Sequence, residues 1–239
     1  MIKLKIIENV YGNFLRASFA VINPFKKAVI QTQCKVHLFI NMHALEILKK
    51  DGYIIEGHFF SNNIMKMNEG AVWADQDFKS SQHFYDPYTK KGLYGRKNAY
   101  QLGEEYYIKA IKFWKKGELD IALFYFGAAV HIVQDMTIPQ HANVRLLDNH
   151  RQYETFVKRT YKYAHDFKVN QGVIVLDSIG EYIVHNTKIA KKIYKKFKRI
   201  KKDEERYYRV TKCSLPLAER TTAGCMIMFY NDIFEKRLH

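Results

Sequence analysis

Apolar residues recur along much of the chain at the spacing of one buried helix face, and turn-forming residues interrupt them. Val36, Phe39, Ile40, Leu45 and Leu48 predict a helix over residues 32–50, which Asp51-Gly52 would stop. Residues 52–95 show no sustained period. They collect turn signals at Gly57, Asn62-Asn63, Gly70, Asp86-Pro87, Gly92 and Gly95, and are expected to form a long loop region. Its aromatic residues, among them Trp73, Phe78, Phe84 and Tyr85, argue against disorder. Helices are then expected over 97–116 and 119–134, divided by Gly117, the second with an inner face of Leu119, Ala122, Phe126, Ala129, Val130 and Val133. A helix over 149–167, a short apolar stretch over 172–176 and helices over 179–202 and 217–234 complete the pattern. Six or so helices without alternating strands predict an all-α fold, a single multi-helix bundle domain spanning 31–239. Residues 1–30 mix apolar and basic residues without a period around Pro24, and read as an N-terminal extension packed on or preceding that domain.

The chemistry concentrates between Phe126 and Phe156. His131 and Asp135 are four residues apart, as are His150 and Glu154, so each pair sits one turn apart on one helix face. Such a pair can close on one ion without backbone strain. His141 follows just past Pro139, where a helix carrying the first pair would have ended. Imidazole and carboxylate without thiolate favour zinc or a similar borderline metal in a hydrolytic site. An ordinary core has little reason to take in five such groups, because unpaired buried charge is costly. His43, His58, His165, His185 and His239 lack such company and are assigned no site.

Composition narrows the partners. The 239 residues include 39 Lys and Arg against 24 Asp and Glu, a formal charge of +15, which points to anionic partners or serves solubility alone. Residues 186–202 hold nine basic residues around the stripe Ile189, Ile193, Phe197 and Ile200. They read either as a face attracted to an anionic membrane surface or as a core helix with a solvated outer side. Three cysteines, Cys34, Cys213 and Cys225, cannot close a disulfide framework. No stretch approaches the roughly 18 apolar residues of a transmembrane span, so none is expected. Arg16, Asn23 and Pro24 interrupt the only patch that could serve as a signal peptide, so a cytoplasmic location is expected unless another route exports the chain.

The run GAAVHIVQDMTIPQHANV, from Gly127 to Val144, resembles the zinc-dependent phospholipase C family, the bacterial enzymes that include alpha-toxin. There a helix ends in His-x3-Asp, and a proline and a third histidine follow. His150-x3-Glu154 is similar to the family's next ligand pair, Ser81 to Pro87 to its His-Phe-Tyr/Trp-Asp-Pro loop, and Gly70 to Asp75 to its Gly-Ala-Thr-Tyr-Pro-Asp loop. Val36 to Ile40 resembles its first helix and Arg220-x-Thr222-Ala223-Gly224 its last, so the likeness runs in order from about residue 30 to 235. It implies a metal cluster in the cleft of an all-α domain of the phospholipase C/P1 nuclease type. Asp75, His83, His131 and Asp135 would hold one zinc, His141, His150 and Glu154 a second, and His37 with the shared Asp135 a third. Asp75 would also be the catalytic base or orient the attacking water. The implied activity is hydrolysis of a phospholipid to diacylglycerol and a phosphorylated headgroup, with no covalent nucleophile.

The chain departs from the family at several points. Secreted members begin their mature chain with a tryptophan that completes the third site, whereas here 36 residues precede His37 and the tryptophans are Trp73 and Trp114. Two tightly held zinc ions are therefore expected before a third, for which Cys34, one turn before His37, is a candidate ligand. Gln76 and Ser80 are polar where choline-preferring members place aromatics, and the lipid-binding β-sandwich of the toxin branch is not expected in a chain that reads to His239. Two alternatives stand beside phospholipase C. One is an S1/P1-type single-strand nuclease, with nucleic acid as partner; the other is a non-catalytic, metal-stabilised scaffold.

Overall fold

A computed structural model describes residues 35–76, 81–93, 97–144 and 150–234. They form α1 (Lys35–Lys50), α2 (Ile54–Ala74), α3 (Ala99–Lys115), α4 (Leu119–Asp135), a short α5 (Pro139–Ala142), α6 (His150–Thr160), a 3-10 turn (His165–Phe167), α7 (Ile179–Phe197) and α8 (Asp203–Phe234). No strand occurs among the described residues, in agreement with the all-α expectation. The expected N-terminal extension, Cys34, Phe78, Ser80 and His239 lie outside the described residues. No described helix is long and apolar enough to cross a membrane.

Helix α4 is the axis. Every residue from Phe126 to Asp135 is buried, and a helix buried on all sides needs neighbours on all sides. Helices α2 and α3 pack most extensively against it, and α7 and α8 cover the remainder. Its partner α3 starts from a capping box, in which the Asn98 side chain accepts from the Gln101 amide while the Gln101 side chain accepts from the Asn98 amide. The approach of α2 to α4 is close enough that only hydrogen fits at two positions. A Cβ on Gly127 would stand 1.9 Å from the Met67 carbonyl oxygen, and one on Gly70 would stand 1.7 Å from that of Phe124.

That contact explains the largest departure from the sequence pattern. Residues 54–74 are helical rather than loop. Gly70, read as a turn signal, is the point of backbone contact, and Asn63 stays in the helix with its amide donating to the Phe59 carbonyl at 2.7 Å. Phe60, Met67, Ala71 and Ala74 are buried at helical spacing, a period that the intervening glycines and asparagines masked.

The second departure is α8. It begins at Asp203 and runs through Pro216 instead of starting at Leu217. Tyr207, Val210, Ser214 and Leu215 are buried before the proline, and Leu217 and Ala218 after it. This packing outweighs the roughly 3 kcal/mol that an interior proline costs. Asp203, Glu204 and Glu205 in its first turn suit the positive end of the helix dipole. The predicted helices over 149–167 and 179–202 end earlier, at Thr160 and Phe197.

Between α6 and α7 an extended strap lies across α8 and the end of α1. Asp51 Oδ2 accepts from the backbone amides of Gly172 at 2.8 Å and Val173 at 2.6 Å. The Ile174 amide donates to the Arg220 carbonyl at 3.3 Å, and the Val169 amide donates to Glu219 Oε2 at 2.8 Å. Glu219 is fully buried, and its Oε1 has no hydrogen-bond partner. Burial pushes its carboxyl up to about 8; the bond from Val169 opposes this, Glu46 adds to it, and Lys168 and Arg220 oppose it.

Two predictions follow from packing and burial. Gly127→Ala and Gly70→Ala should each cost about 1–3 kcal/mol or more in urea unfolding, because a backbone carbonyl cannot step aside. Gly57→Ala, whose Cβ would meet only Leu48 Cβ at 3.7 Å, should be neutral or stabilising by about 0.5–1 kcal/mol; equal losses at all three sites would refute the contact. For Glu219, the native state keeps a proton that the unfolded chain has released between the ordinary glutamate range and pH about 8. This group's contribution to stability therefore falls as pH rises across that window, by up to about 1.4 kcal/mol per pH unit. Glu219→Gln should flatten the stability curve between pH 5.5 and 8.5 relative to the parent protein, and parallel curves would remove Glu219 as the cause.

Candidate metal centre

The last turn of α4 places His131 Nε2 3.3 Å from Asp135 Oδ2, as their spacing predicts. Helix α1 brings His37 alongside, its ring centroid 4.1 Å from that of His131 and its Nε2 3.6 Å from Asp135 Oδ1. His83 arrives from the segment before α3, buried, with Nδ1 2.8 Å from Asp135 Oδ2. Asp75 is the residue that ends α2. Ligand atoms of Asp75, His83 and His131 lie within 4.8 Å of one another, and so do those of His37, His131 and Asp135. His131 thus faces both groups, where the sequence resemblance gave only Asp135 a shared place.

A third group adjoins them. Atoms of His141, His150 and Glu154 also fall within 4.8 Å of one another. On α6, His150 Nε2 is 3.1 Å from Glu154 Oε1, and it faces His141 Nε2 at 3.0 Å. His141 Nδ1 donates to the His83 carbonyl at 2.6 Å, which leaves its Nε2 as the open nitrogen. The Tyr85 amide donates back to the His141 carbonyl at 3.3 Å, and the Phe84 ring stacks on His141 at 4.6 Å. One short segment, His83 to Tyr85, therefore supplies a ligand candidate to one group and orients a ligand candidate of the next. Asp86, read as a turn residue, does accept from the Tyr88 amide at 2.9 Å. Its other oxygen binds Lys191 Nζ at 2.8 Å, and that ammonium also donates to the Ala142 carbonyl at 3.3 Å, tying α7 to the rim.

Electrostatics match the protonation that metal binding requires. Burial alone would push the Asp135 carboxyl up, but the neighbouring His131 and His141, with the hydrogen bond from His83, hold it well below the carboxylate range. Burial lowers His141 to about 4, against the pull of Asp135, and burial with the neighbouring His131 lowers His37. Burial would likewise raise Glu154, and His150 outweighs it. At neutral pH the centre offers neutral His37 and His141 imidazoles and ionised Asp135 and Glu154 carboxylates, the forms that bind cations.

The donor set fits zinc. His83 Nε2 and both ring nitrogens of His131 are buried without a hydrogen-bond partner, a costly arrangement that a coordinated cation relieves. Nitrogen and oxygen donors without thiolate match hydrolytic zinc. All eight sequence-predicted residues lie in these three groups. His43, His58, His165 and His185 lie in none of the groups formed by the described residues. Sequence reasoning missed Gln134 and Asn41, polar residues buried beside the centre. Asn41 stands four residues after His37, a spacing that could have flagged it.

Comparison with known proteins agrees with this centre. The family model for zinc dependent phospholipase C matches residues 36–208. The phospholipase C of Clostridium novyi is 29% identical over 234 residues, covering 82% of this chain and 58% of that protein. The phospholipase C of Listeria monocytogenes is 25% identical over 185 residues, covering 69% and 63%. This chain thus spans about three fifths of the length of these relatives. Alpha toxin from Clostridium absonum shares the fold, with a TM-score of 0.73 over 85% of this chain and 65% of that one, at 20% identity. Its fold, its three adjoining His and carboxylate groups and the match over most of its length place this chain in the zinc-dependent phospholipase C family.

Proposed function

We propose that this protein is a zinc-dependent phospholipase C, which hydrolyses a glycerophospholipid to diacylglycerol and a phosphorylated headgroup. The observation that carries this reading is the gathering of eight nitrogen and carboxylate ligand candidates into three adjoining groups at the end of α4. Asp75, His83 and His131 would hold one ion, His141, His150 and Glu154 a second, and His37 with Asp135 and His131 a third. Bound zinc supplies charge neutralisation for the phosphodiester and makes water acidic enough to attack at neutral pH.

The chain's own residues do the rest. Water oxygen bonds to phosphorus, the phosphorus–glycerol oxygen bond breaks, and the departing glycerol oxygen takes up a proton. Asp75, half-buried at the end of α2, is the carboxylate that accepts the water proton or orients the water. His83 and His141 are held by Asp135 and by the His83 carbonyl, so their rings need no reorganisation. Lys188, Lys192 and Lys195 on α7, with Arg199 just past its end, are exposed, opposite the buried Ile183, Ala190 and Ile193. That cationic ridge would draw the protein to anionic lipid, more weakly as salt rises.

The test incubates zinc-loaded protein with phosphatidylcholine vesicles, with and without anionic phosphatidylglycerol, and separately with single-stranded DNA and RNA, each with a chelator control. Chelator-sensitive release of phosphorylated headgroup, faster on the anionic vesicles at low salt, is the expected result. Nucleotide release would instead identify a nuclease, and silence in both arms a scaffold. Asp75→Asn should lower turnover at least 100-fold while most of the bound zinc remains by metal analysis; full activity in that variant would remove Asp75 from its role.

A further inference from the structure

A buried chain of amides runs from the core to the metal centre. The Asn41 amide nitrogen donates to Asn68 Oδ1 at 2.8 Å. Asn41 Oδ1 in turn accepts from Gln134 Nε2 at 2.8 Å, and the same Nε2 donates to Thr222 Oγ1 at 3.0 Å. Both protons of the Gln134 amide are therefore committed, one to α1 and one to α8, and its carbonyl oxygen is left facing His37 Nδ1 at 2.8 Å. A glutamine carbonyl only accepts. His37 Nδ1 must then carry the ring proton, and Nε2 must present a bare lone pair towards Asp135 Oδ1, 3.6 Å away.

We infer that Gln134 is a positioning residue that sets the tautomer and ring orientation of His37, so that its Nε2 is ready to bind a metal ion. This inference rests on the zinc reading of the centre for its consequence, but not for its geometry. Gln134 and Asn41 are buried and His37 is largely so, and each bond of the relay lies between 2.8 and 3.0 Å. An imidazole held only by its backbone would exchange both tautomers and lose part of its affinity for a cation. Histidine ligands generally need such a partner on the other nitrogen, and its removal typically costs 10–100-fold in metal affinity. Gln134 sits directly before Asp135 on α4, so one turn of helix supplies a candidate ligand and the group that aims another.

The deciding experiment reads the tautomer first, in metal-free protein labelled with nitrogen-15 at histidine, using long-range proton–nitrogen correlations. His37 is expected with its proton on Nδ1 alone. Zinc is then titrated by competition with a chromophoric chelator into the parent protein, Gln134→Met and Gln134→Glu. Gln134→Met should show mixed His37 tautomers and a 10–100-fold loss of affinity for one ion, the remaining ions unchanged. Gln134→Glu keeps an acceptor for Nδ1–H but gives up both amide donors, so it should retain the Nδ1 tautomer and lose less affinity than Gln134→Met. A proton on His37 Nε2 in the parent protein would overturn the inference, since it would mean that the amides run the other way. Unchanged tautomer and affinity in Gln134→Met would overturn it too. If Gln134→Met does not fold, the parent tautomer and the Gln134→Glu titration still decide. If the parent binds zinc but hydrolyses no phospholipid, the functional reading fails while the role of Gln134 stands.

Discussion

A carboxylate buried at the end of a buried helix must be compensated on every side, and Asp135 is that group. It takes a hydrogen bond from His83, lies within 3.3 Å of His131 and 3.6 Å of His37, and is almost fully inaccessible. Removing one partner of a buried ionic cluster leaves an uncompensated charge and costs several kcal/mol. The three histidines that surround it come from α1, from α4 and from the segment before α3. Those elements can meet only if α4 is enclosed, and enclosure depends on the hydrogen-only contacts of Gly70 and Gly127 with facing carbonyls. The tight backbone packing and the polar centre are two ends of one constraint.

The same constraint decides what could be read in the chain beforehand. His131 with Asp135 and His150 with Glu154 were legible because a helix turn fixes their geometry from spacing alone. His37, Asp75 and His83 were not, since nothing local indicates that three distant segments converge; the resemblance to a family supplied them. Helix α2 was missed because its glycines and asparagines answer to α4 rather than to their own neighbours. Gly70 looks like a turn until the opposing carbonyl of Phe124 is known. Pro216 misled for a related reason: burial of side chains on both sides of it holds α8 straight through a residue that alone would end a helix. Local rules failed where tertiary contact supplied the larger energy.

Gln134 shows how a polar residue becomes specific in a core. Position 134 faces Asn41 and Thr222, one from each helix that flanks the end of α4, and its amide has the two donors and one acceptor that this setting can use. A hydrophobic residue there would leave Asn41 with an unmet acceptor. Buried networks of this kind stabilise only when every member is satisfied, and then they hold one arrangement against all others.

Charge separation completes the physical logic. The formal charge is +15, and among the described residues many lysines and arginines are exposed, including those on the outer ridge of α7. The centre itself contributes three carboxylates, Asp75, Asp135 and Glu154, amid imidazoles whose neutral form burial favours at His37 and His141. Two or more divalent ions would outweigh those carboxylates, making the centre positive, as the proposed hydrolysis of an anionic phosphodiester requires. The exterior attracts at long range and is screened by salt, whereas the largely buried centre acts at short range and is screened far less. A phospholipid in an anionic bilayer would meet both fields in turn, while a soluble phosphodiester would depend mainly on the second. Salt should therefore separate the two contributions, suppressing attack on vesicles more than attack on a short-chain soluble substrate.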